Sequence, residues 1–366
     1  MMKLGDICSF QSGGTPSRSN SKYFNGTIPW ITTVALTGGV IDENSAVEFI
    51  SDDAIRQSAA KIVKPYSIMV GTRVGVGKVA INSVAMSTSQ DVVSLIDIDE
   101  TKWNKMFLVK FIQAKNNFLN SQARGATIKG IKIEVLAELE LPDIDLPTQR
   151  WIADTLDKVA EGIGLCRKML GKLDLMVKAK FVEMFGDVVQ NSKQLPIKTL
   201  PEISENLDSR RIPITGSVRE KGIYPYYGAS GIVDYVKDYL FDEDILLISE
   251  DGANLLARST PIAFSAAGKV WVNNHAHVLR FRDRATQCYV ENFLNMIDIS
   301  NYVTGTAQPK LNQAKLNAIP IPTPELASQK QFMEFTRQIE KIKLTSCEVL
   351  DKMETERLAL MQEYFG

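Results

Sequence analysis

The residues of this chain that come nearest to a phosphate loop are Gly71-Thr-Arg-Val-Gly75-Val-Gly77-Lys78-Val79. A phosphate loop places four residues between its outer glycine and its Gly-Lys pair, then a metal-binding hydroxyl. Here five residues intervene and Val79 stands where the hydroxyl belongs, so the run reads as a turn between strands. Ala267-Gly268-Lys269-Val270 fails for the same reason. His275 and His277 are spaced to share one face of a strand, but no acidic or cysteine partner at metal-ligand spacing accompanies them, so no metal site is expected. Pro142-Asp143 could open a nuclease motif, yet Glu100-Thr-Lys102 lies upstream of it, in the wrong order. No Asn-Pro-Pro-Tyr-type methyltransferase signature occurs. With no catalytic set assembled, the expected chemistry is binding.

The elements that would position a binding surface come next. The chain has 366 residues, 45% apolar and 23% charged, enough for two or three cores. No run of 18 apolar residues exists, so no membrane span is expected. The N-terminus shows no basic-then-apolar export signal. Cys8, Cys166, Cys288 and Cys347 lie far apart without a CxxC pair, which disfavours a disulfide scaffold or zinc finger and fits a reducing cytoplasm. Net charge is −1, but the acids are clumped. None lies between Asp6 and Asp42, Asp53 and Asp91, Glu100 and Glu134, Asp251 and Asp283, or Asp298 and Glu325. Such segregation can build a positive face on a neutral protein.

The strongest organising signal is a self-match at an offset of 180 residues. Gly125 falls on Gly305, Leu136 on Leu316, Pro142 on Pro322, Leu146 on Leu326, Gln149 on Gln329 and Phe185-Gly186 on Phe365-Gly366. The match needs no gap, so it reads as a tandem duplication with a pseudo-twofold. Each shared tail runs from a short apolar segment through a Pro turn into a long helix, with Thr148 and Ser328 as N-cap candidates. In the first helix Ile152, Leu156, Val159, Ile163, Cys166, Leu170, Leu173 and Val177 alternate spacings of four and three. The second repeats the pattern with Phe332, Phe335, Ile339, Ile342, Val349, Met353 and Leu360, lapsing at Ser346 and Glu356. That spacing is a coiled-coil seam, and helices of this length with such a stripe are expected to pack on each other. Leu156, Leu170, Leu173, Val349 and Met353 are assigned to the seam between them. Gly162, Gly164 and Gly171 mark a kink or a close helix contact.

The parts before the tails carry short β runs, among them Ile28–Ile31, Ser67–Val70 and Asp91–Leu95, then Asp244–Ser249, Lys269–Val272 and His277–Phe281. A helix follows each set, near Asn104–Asn117 and Gln287–Met296. The expected class is α+β. The expected division is a domain at 1–146, a helix at 147–187, a second domain at 188–326 and a second helix at 327–366.

Together these stretches resemble the specificity subunit of type I restriction–modification systems, over the whole chain. The resemblance is carried by Leu4-Gly-Asp-Ile-Cys8 through Gly13-Gly-Thr-Pro16, Tyr23-Phe-Asn-Gly26-Thr-Ile-Pro-Trp30, Tyr224-Pro-Tyr-Tyr-Gly-Ala-Ser-Gly231, Leu247-Ile-Ser-Glu-Asp-Gly252-Ala-Asn254 and Gly305-Thr-Ala-Gln-Pro309-Lys310-Leu311-Asn312, and by the segments ending in Gln149 and Gln329 that open the helices. It implies two pseudo-symmetric α/β target-recognition domains separated by two long helices packed as an antiparallel coiled coil. Each domain would read one half of a bipartite DNA site, and the helices would set the spacing and dock two modification subunits. The resemblance implies a non-catalytic, cytoplasmic subunit. S-adenosylmethionine, ATP and Mg²⁺ would sit on the modification and restriction subunits.

Base and phosphate contacts call for Arg and Lys on loops or strands that reach a groove. The candidates are Arg18, Lys22, Arg73, Lys78, Arg124 and Lys129 in the first domain, and Arg210, Arg211, Arg219, Lys221, Arg258 and Lys310 in the second. Trp30, Tyr226, Tyr227 and Trp271 suit core packing better than base stacking. The alternative is a non-catalytic, two-lobed coiled-coil scaffold that tethers other proteins.

Overall fold

The computed structural model describes residues 2–125, 127, 129–305 and 307–366. The chain forms two compact units, Met1–Cys166 with Val349–Gly366, and Arg167–Glu348. The division falls inside each long helix rather than at its start.

In the first unit α1 (Leu4–Ile7) leads into β1 (Ser9–Ser12), followed by β2 (Ile28–Ile31), β3 (Val40–Ile41), β4 (Glu48–Ile50), α2 (Asp52–Gln57), β5 (Ile62–Val63), β6 (Ile68–Gly71), β7 (Val79–Asn82), β8 (Met86–Thr88) and β9 (Val92–Ile96). Helices α3 (Lys105–Ala114), α4 (Asn116–Gln122) and α5 (Ile133–Ala137) precede α6 (Leu146–Phe185). The strands form a five-stranded sheet, β1-β9-β6-β7-β3, and a four-stranded sheet, β4-β2-β8-β5. Strand β6 shows why its run is apolar throughout. Ile68 and Val70 face Phe107, Leu108, Phe111 and Ile112 of α3. Met69, pointing the other way as a strand's period of two requires, joins Ile31 and Met86 of the second sheet. A strand covered on both faces loses the polar alternation of a surface strand.

The second unit repeats the scheme. It contains β10 (Ile197–Lys198), α7 (Leu200–Ile203), β11 (Ser204–Asn206), β12 (Lys221–Gly228), β13 (Gly231–Val236), β14 (Phe241–Asp242), β15 (Ile245–Ser249), α8 (Asn254–Ala257), β16 (Ala263–Ala266), β17 (Lys269–Val272) and β18 (Ala276–Phe281). Then come α9 (Arg284–Met296), α10 (Gln313–Asn317), β19 (Ile321–Pro322) and α11 (Leu326–Phe365). Its sheets are β11-β18-β15-β16, β13-β12-β17-β14 and the pair β10-β19. Strand β15 plays the part of β6. Leu246 and Ile248 face Tyr289, Phe293 and Leu294 of α9, while Ile245 and Leu247 face the second sheet.

Helices α6 and α11 run antiparallel within each unit. In the first, the Trp151 ring meets that of Tyr364 at 6.0 Å, and Met353 lies against Gly162. In the second, Lys343 pairs with Asp174 at 2.8 Å, and Phe181 meets Phe332 at 5.3 Å. Both helices begin two residues before the expected caps. Asp145, not Thr148, caps α6, its carboxylate accepting the Thr148 N–H at 2.9 Å.

Leu156 and Leu173 are buried, at 2% and 7% exposure, and Leu170 and Met353 are half-buried. Val349, expected in the seam, is 42% exposed. The buried stripe of α11 passes instead through Phe332, Thr336, Ile339 and Ser346. Thr336 and Ser346 enter it because their hydroxyls bond back to the carbonyls of Met333 and Ile342 in their own helix, and the Thr336 hydroxyl also meets the Cys288 thiol of α9 at 3.3 Å.

Candidate nucleic-acid interface

The glycine-rich run between β6 and β7 is a turn. Gly71 N donates to Lys78 O at 2.8 Å and Gly77 N to Gly71 O at 2.9 Å. Gly75 and Gly77 take φ of +99° and +78°, which glycine adopts without strain. The amides of Asn116 and Asn120 donate to Val76 O and hold the turn to α4. A second turn is stitched to the first. Arg124 and Gly130 exchange backbone hydrogen bonds of 2.9 and 3.0 Å, and Ile131 N donates to Thr72 O at 2.9 Å. Gly130 must be small there, because a Cβ would lie 2.9 Å from Cγ of Arg73. Arg73, Lys78, Arg124 and Lys129 thus meet on one pair of turns. All four side chains are exposed, and none has an ion pair among the described residues. Lys129 also lines a depression of about 500 Å³ with Val74, Gly75 and Asn120. Four unpaired cations on loops held by a rigid sheet can grip a polyanion.

The second unit builds the same stitch at the duplicated positions. Thr304 and Lys310 exchange bonds of 2.8 and 2.7 Å, and Leu311 N donates to Glu250 O at 2.8 Å. By the 180-residue offset these match Arg124, Gly130 and Ile131, so Lys310 is the counterpart of Gly130 rather than Lys129. The charges differ. Lys310 is 3.2 Å from Glu250, which also binds Arg211 at 2.7 Å. His275 pairs with Asp251 and His277 with Asp208, at 2.8 and 2.6 Å. Burial raises the Glu250 carboxyl, but hydrogen bonds from Arg211 and Lys310 and the charges of His277 and Arg211 outweigh it and hold it below its ordinary range. Asp208 is likewise raised by burial and lowered further by His277, with the same net direction. His277, 1% exposed, has Nδ1 against Asp208 and Nε2 against Leu311 O, so neither nitrogen is open to a metal.

The other candidates separate by accessibility. Lys22 and Lys221 are exposed, without ion pairs among the described residues. Arg18 is exposed but forks onto Glu48 and lies 4.6 Å over the Phe24 ring. Arg210 pairs with Glu243 and stacks on Phe241. Arg219 reaches Asp234 at 3.3 Å and lies over Tyr226. Two candidates are turned inward. Arg211 is fixed between Asp208 and Glu250. Arg258 donates to the carbonyls of Leu294 and Ile297, closing the end of α9. A helix C-terminus has carbonyls without partners and a partial negative charge, which a guanidinium satisfies. These two arginines hold the fold. Trp30 and Tyr226 are buried, and Trp271 donates its indole N–H to Ile212 O. Sequence reasoning passed over Asn116 and Asn120, which carry no repeat signal.

Comparison with known proteins decides between the two readings of such a surface. The family model for the type I restriction modification DNA specificity domain matches residues 1–173 and 194–355. The chain belongs to that specificity family. It is 33% identical over 150 residues to a proposed type I restriction enzyme specificity subunit of Haemophilus influenzae, a match spanning 41% of this chain and 38% of that one. Over 349 residues it is 23% identical to the EcoprrI specificity subunit of Escherichia coli, covering 90% of this chain and 84% of the relative. The MjaIX specificity subunit of Methanocaldococcus jannaschii is 23% identical over 383 residues, covering 90% and 88%. In fold, the chain is similar to the S subunit of a type I system from M. genitalium, with a TM-score of 0.61 at 15% identity, over 100% of this chain and 95% of that one. A structure concerned with assembly of the type I system gives 0.58 at 15% identity, covering 100% and 96%. The specificity family, and not a generic tethering scaffold, accounts for both halves of the duplication. No helix among the described residues is long and apolar enough to cross a membrane.

Proposed function

We propose that this chain is the DNA-recognition subunit of a cytoplasmic type I restriction–modification complex and carries no catalytic step itself. Each unit reads one half of a bipartite site through its stitched pair of turns. The antiparallel helices α6 and α11 set the spacing of the halves and dock two modification subunits, with restriction subunits completing the assembly. S-adenosylmethionine is bound by the modification subunits, and ATP and Mg²⁺ by the restriction subunits.

The observation that carries this reading is the repeated stitch. Two turns with different side chains occupy the same place in duplicated units, as a reader of an asymmetric target requires. The test is to express the chain with the modification subunit encoded beside it and map methylated adenines in the host genome. A bipartite methylated sequence is expected, and replacing residues 1–146 by those of a relative should change one half only. Absence of sequence-specific methylation, or a change in both halves, overturns the reading.

A further inference from the structure

The two units carry opposite charge at one position of the repeated stitch. Arg73 pairs with Gly130 in the first, and Asp251 with Lys310 in the second, both as isolated antiparallel bridges. Thr72 N donates to Asp91 O at 2.8 Å, and Glu250 N to His275 O at 2.9 Å. Asp251 is therefore the counterpart of Arg73, and His275 of Asp91.

The exchange makes the second turn a poor phosphate grip. Asp208, Glu250 and Asp251 stand against Arg211 and Lys310, and both cations are already paired with Glu250. A carboxylate in the place of Arg73 repels the backbone that the first unit attracts. Asp251 instead holds His275, with Oδ2 at 2.8 Å from Nδ1. An ionised carboxylate only accepts, so Nδ1 carries the proton, and the uncharged ring presents Nε2 as a bare lone pair. The ring is exposed, and Nε2 has no hydrogen bond among the described residues. The backbone beneath it is fixed on both sides. His275 N donates to Asn273 Oδ1 at 2.8 Å, and its carbonyl accepts from Glu250. A side chain held in this way is oriented before a ligand arrives.

A bare lone pair calls for a donor. Phosphates only accept, whereas base edges carry amino groups. The groove follows from the width of the turn. Asp251, Lys310 and Thr304 lie on three backbone segments side by side. At about 4.8 Å between neighbours they span roughly 10 Å. That is too broad for a minor groove of about 6 Å and fits a major groove of about 12 Å. In the major groove cytosine N4 and adenine N6 donate, while guanine and thymine offer no amino group.

We propose that His275 is a specificity-determining residue of the second unit. Its Nε2 accepts a hydrogen bond from the exocyclic amino group of a cytosine or an adenine, and Asp251 is the positioning residue that fixes the tautomer. This role rests on the DNA-recognition reading and names the class of base that one turn selects.

The test uses the full chain assembled with modification subunits, on the DNA that methylation mapping defines. Amino groups are deleted across the site one at a time, with purine in place of adenine or 2-pyrimidinone in place of cytosine. Binding is read by fluorescence anisotropy. One deletion should weaken binding by the unmodified chain about tenfold and binding by His275→Ala no further, and the analogue responsible tells the base. In Asp251→Asn the amide can also donate to Nδ1, which puts the ring proton on Nε2. That variant should then tolerate guanine at the same position, a change that a purely structural aspartate would not produce. The thermal midpoints of both variants should match that of the unmodified chain. Losses that simply multiply at every position, or a His275→Ala loss equal on all DNA as a phosphate contact gives, overturn the role of His275 and leave the DNA-recognition reading intact. Continued rejection of guanine by Asp251→Asn overturns the positioning role. If mapping finds no sequence-specific methylation, both readings fall.

Discussion

Cε of Met353 lies 2.3 Å from the point where a side chain on Gly162 would begin. Of the three glycines in α6, this one alone is covered. A Cβ on Gly164 or Gly171 would meet nothing within 4 Å. The glycines therefore have different costs to the helix. Gly171→Ala should stabilise the chain by about 1 kcal/mol, the helix-propensity difference. Gly162→Ala should change little, because the flexible end of Met353 can give way. Gly162→Leu overfills the contact and should cost about 1–3 kcal/mol. Urea unfolding of the three variants checks the order.

The seam can be tested residue by residue. Leu156→Ala and Leu173→Ala empty buried positions and should each cost about 2–5 kcal/mol. Val349→Ala should cost under about 1 kcal/mol, since Val349 is already largely in water. Equal losses at all three would place Val349 in the seam after all. The thermal midpoints of the three variants give the comparison.

This difference shows how far the sequence could be read. The duplication, the long helices and the strands before them are legible because each rests on periodicity or identity over many residues. The seam of α11 slips in a sequence reading because Ser346 looks like a lapse. Its hydroxyl is bonded within the helix, and that is a local fact invisible to apolar spacing. Arg258 was legible as a cation but not as a cap, because the carbonyls it serves, at Leu294 and Ile297, lie more than thirty residues away. Gln149 and Gln329 stood out as identical. Only the structure shows that they are not equally satisfied.

The unpaired cations of the first unit should carry much of the electrostatic grip on DNA. Arg73→Ala and Arg124→Ala should each weaken binding by the assembled complex across specific and unrelated sequences alike. Each should also lower the slope of log K against log salt by about one. Arg210→Ala, whose charge is matched by Glu243, should leave that slope nearly unchanged. Fluorescence anisotropy over a salt series separates these outcomes, and an unchanged slope for the first two variants would place the grip elsewhere.

The charge cluster of the second unit predicts acid sensitivity. Asp208 and Glu250 are held below their ordinary values in the folded unit, so folding favours their ionised forms. Their contribution is complete above the unfolded carboxylate range, near 4, and is lost as pH falls through the lowered folded values. Asp208→Asn should flatten that acid limb. At neutral pH it should also cost about 3 kcal/mol, because it leaves His277 and Arg211 with one fewer buried partner. Melting temperature against pH, read on both proteins, tests the sign. A native chain that gains stability on acidification would contradict it.

The helix pair makes the last prediction, which depends on the DNA-reading role. Four residues inserted into α6 between Leu156 and Val177 add about 6 Å of helix at 1.5 Å per residue. A four-residue insertion is a stutter, which coiled coils absorb by local unwinding. In α6 alone, it puts the Asp174–Lys343 and Phe181–Phe332 contacts out of step with Trp151–Tyr364 and should lower stability. A matching insertion in α11 should restore the melting temperature. With both in place, the methylated half-sites should move apart by about two base pairs, the number of 3.4 Å steps nearest the added length. Methylation mapping of the double-insertion protein reads the gap directly. A restored fold with an unchanged gap would show that the helices do not set the spacing.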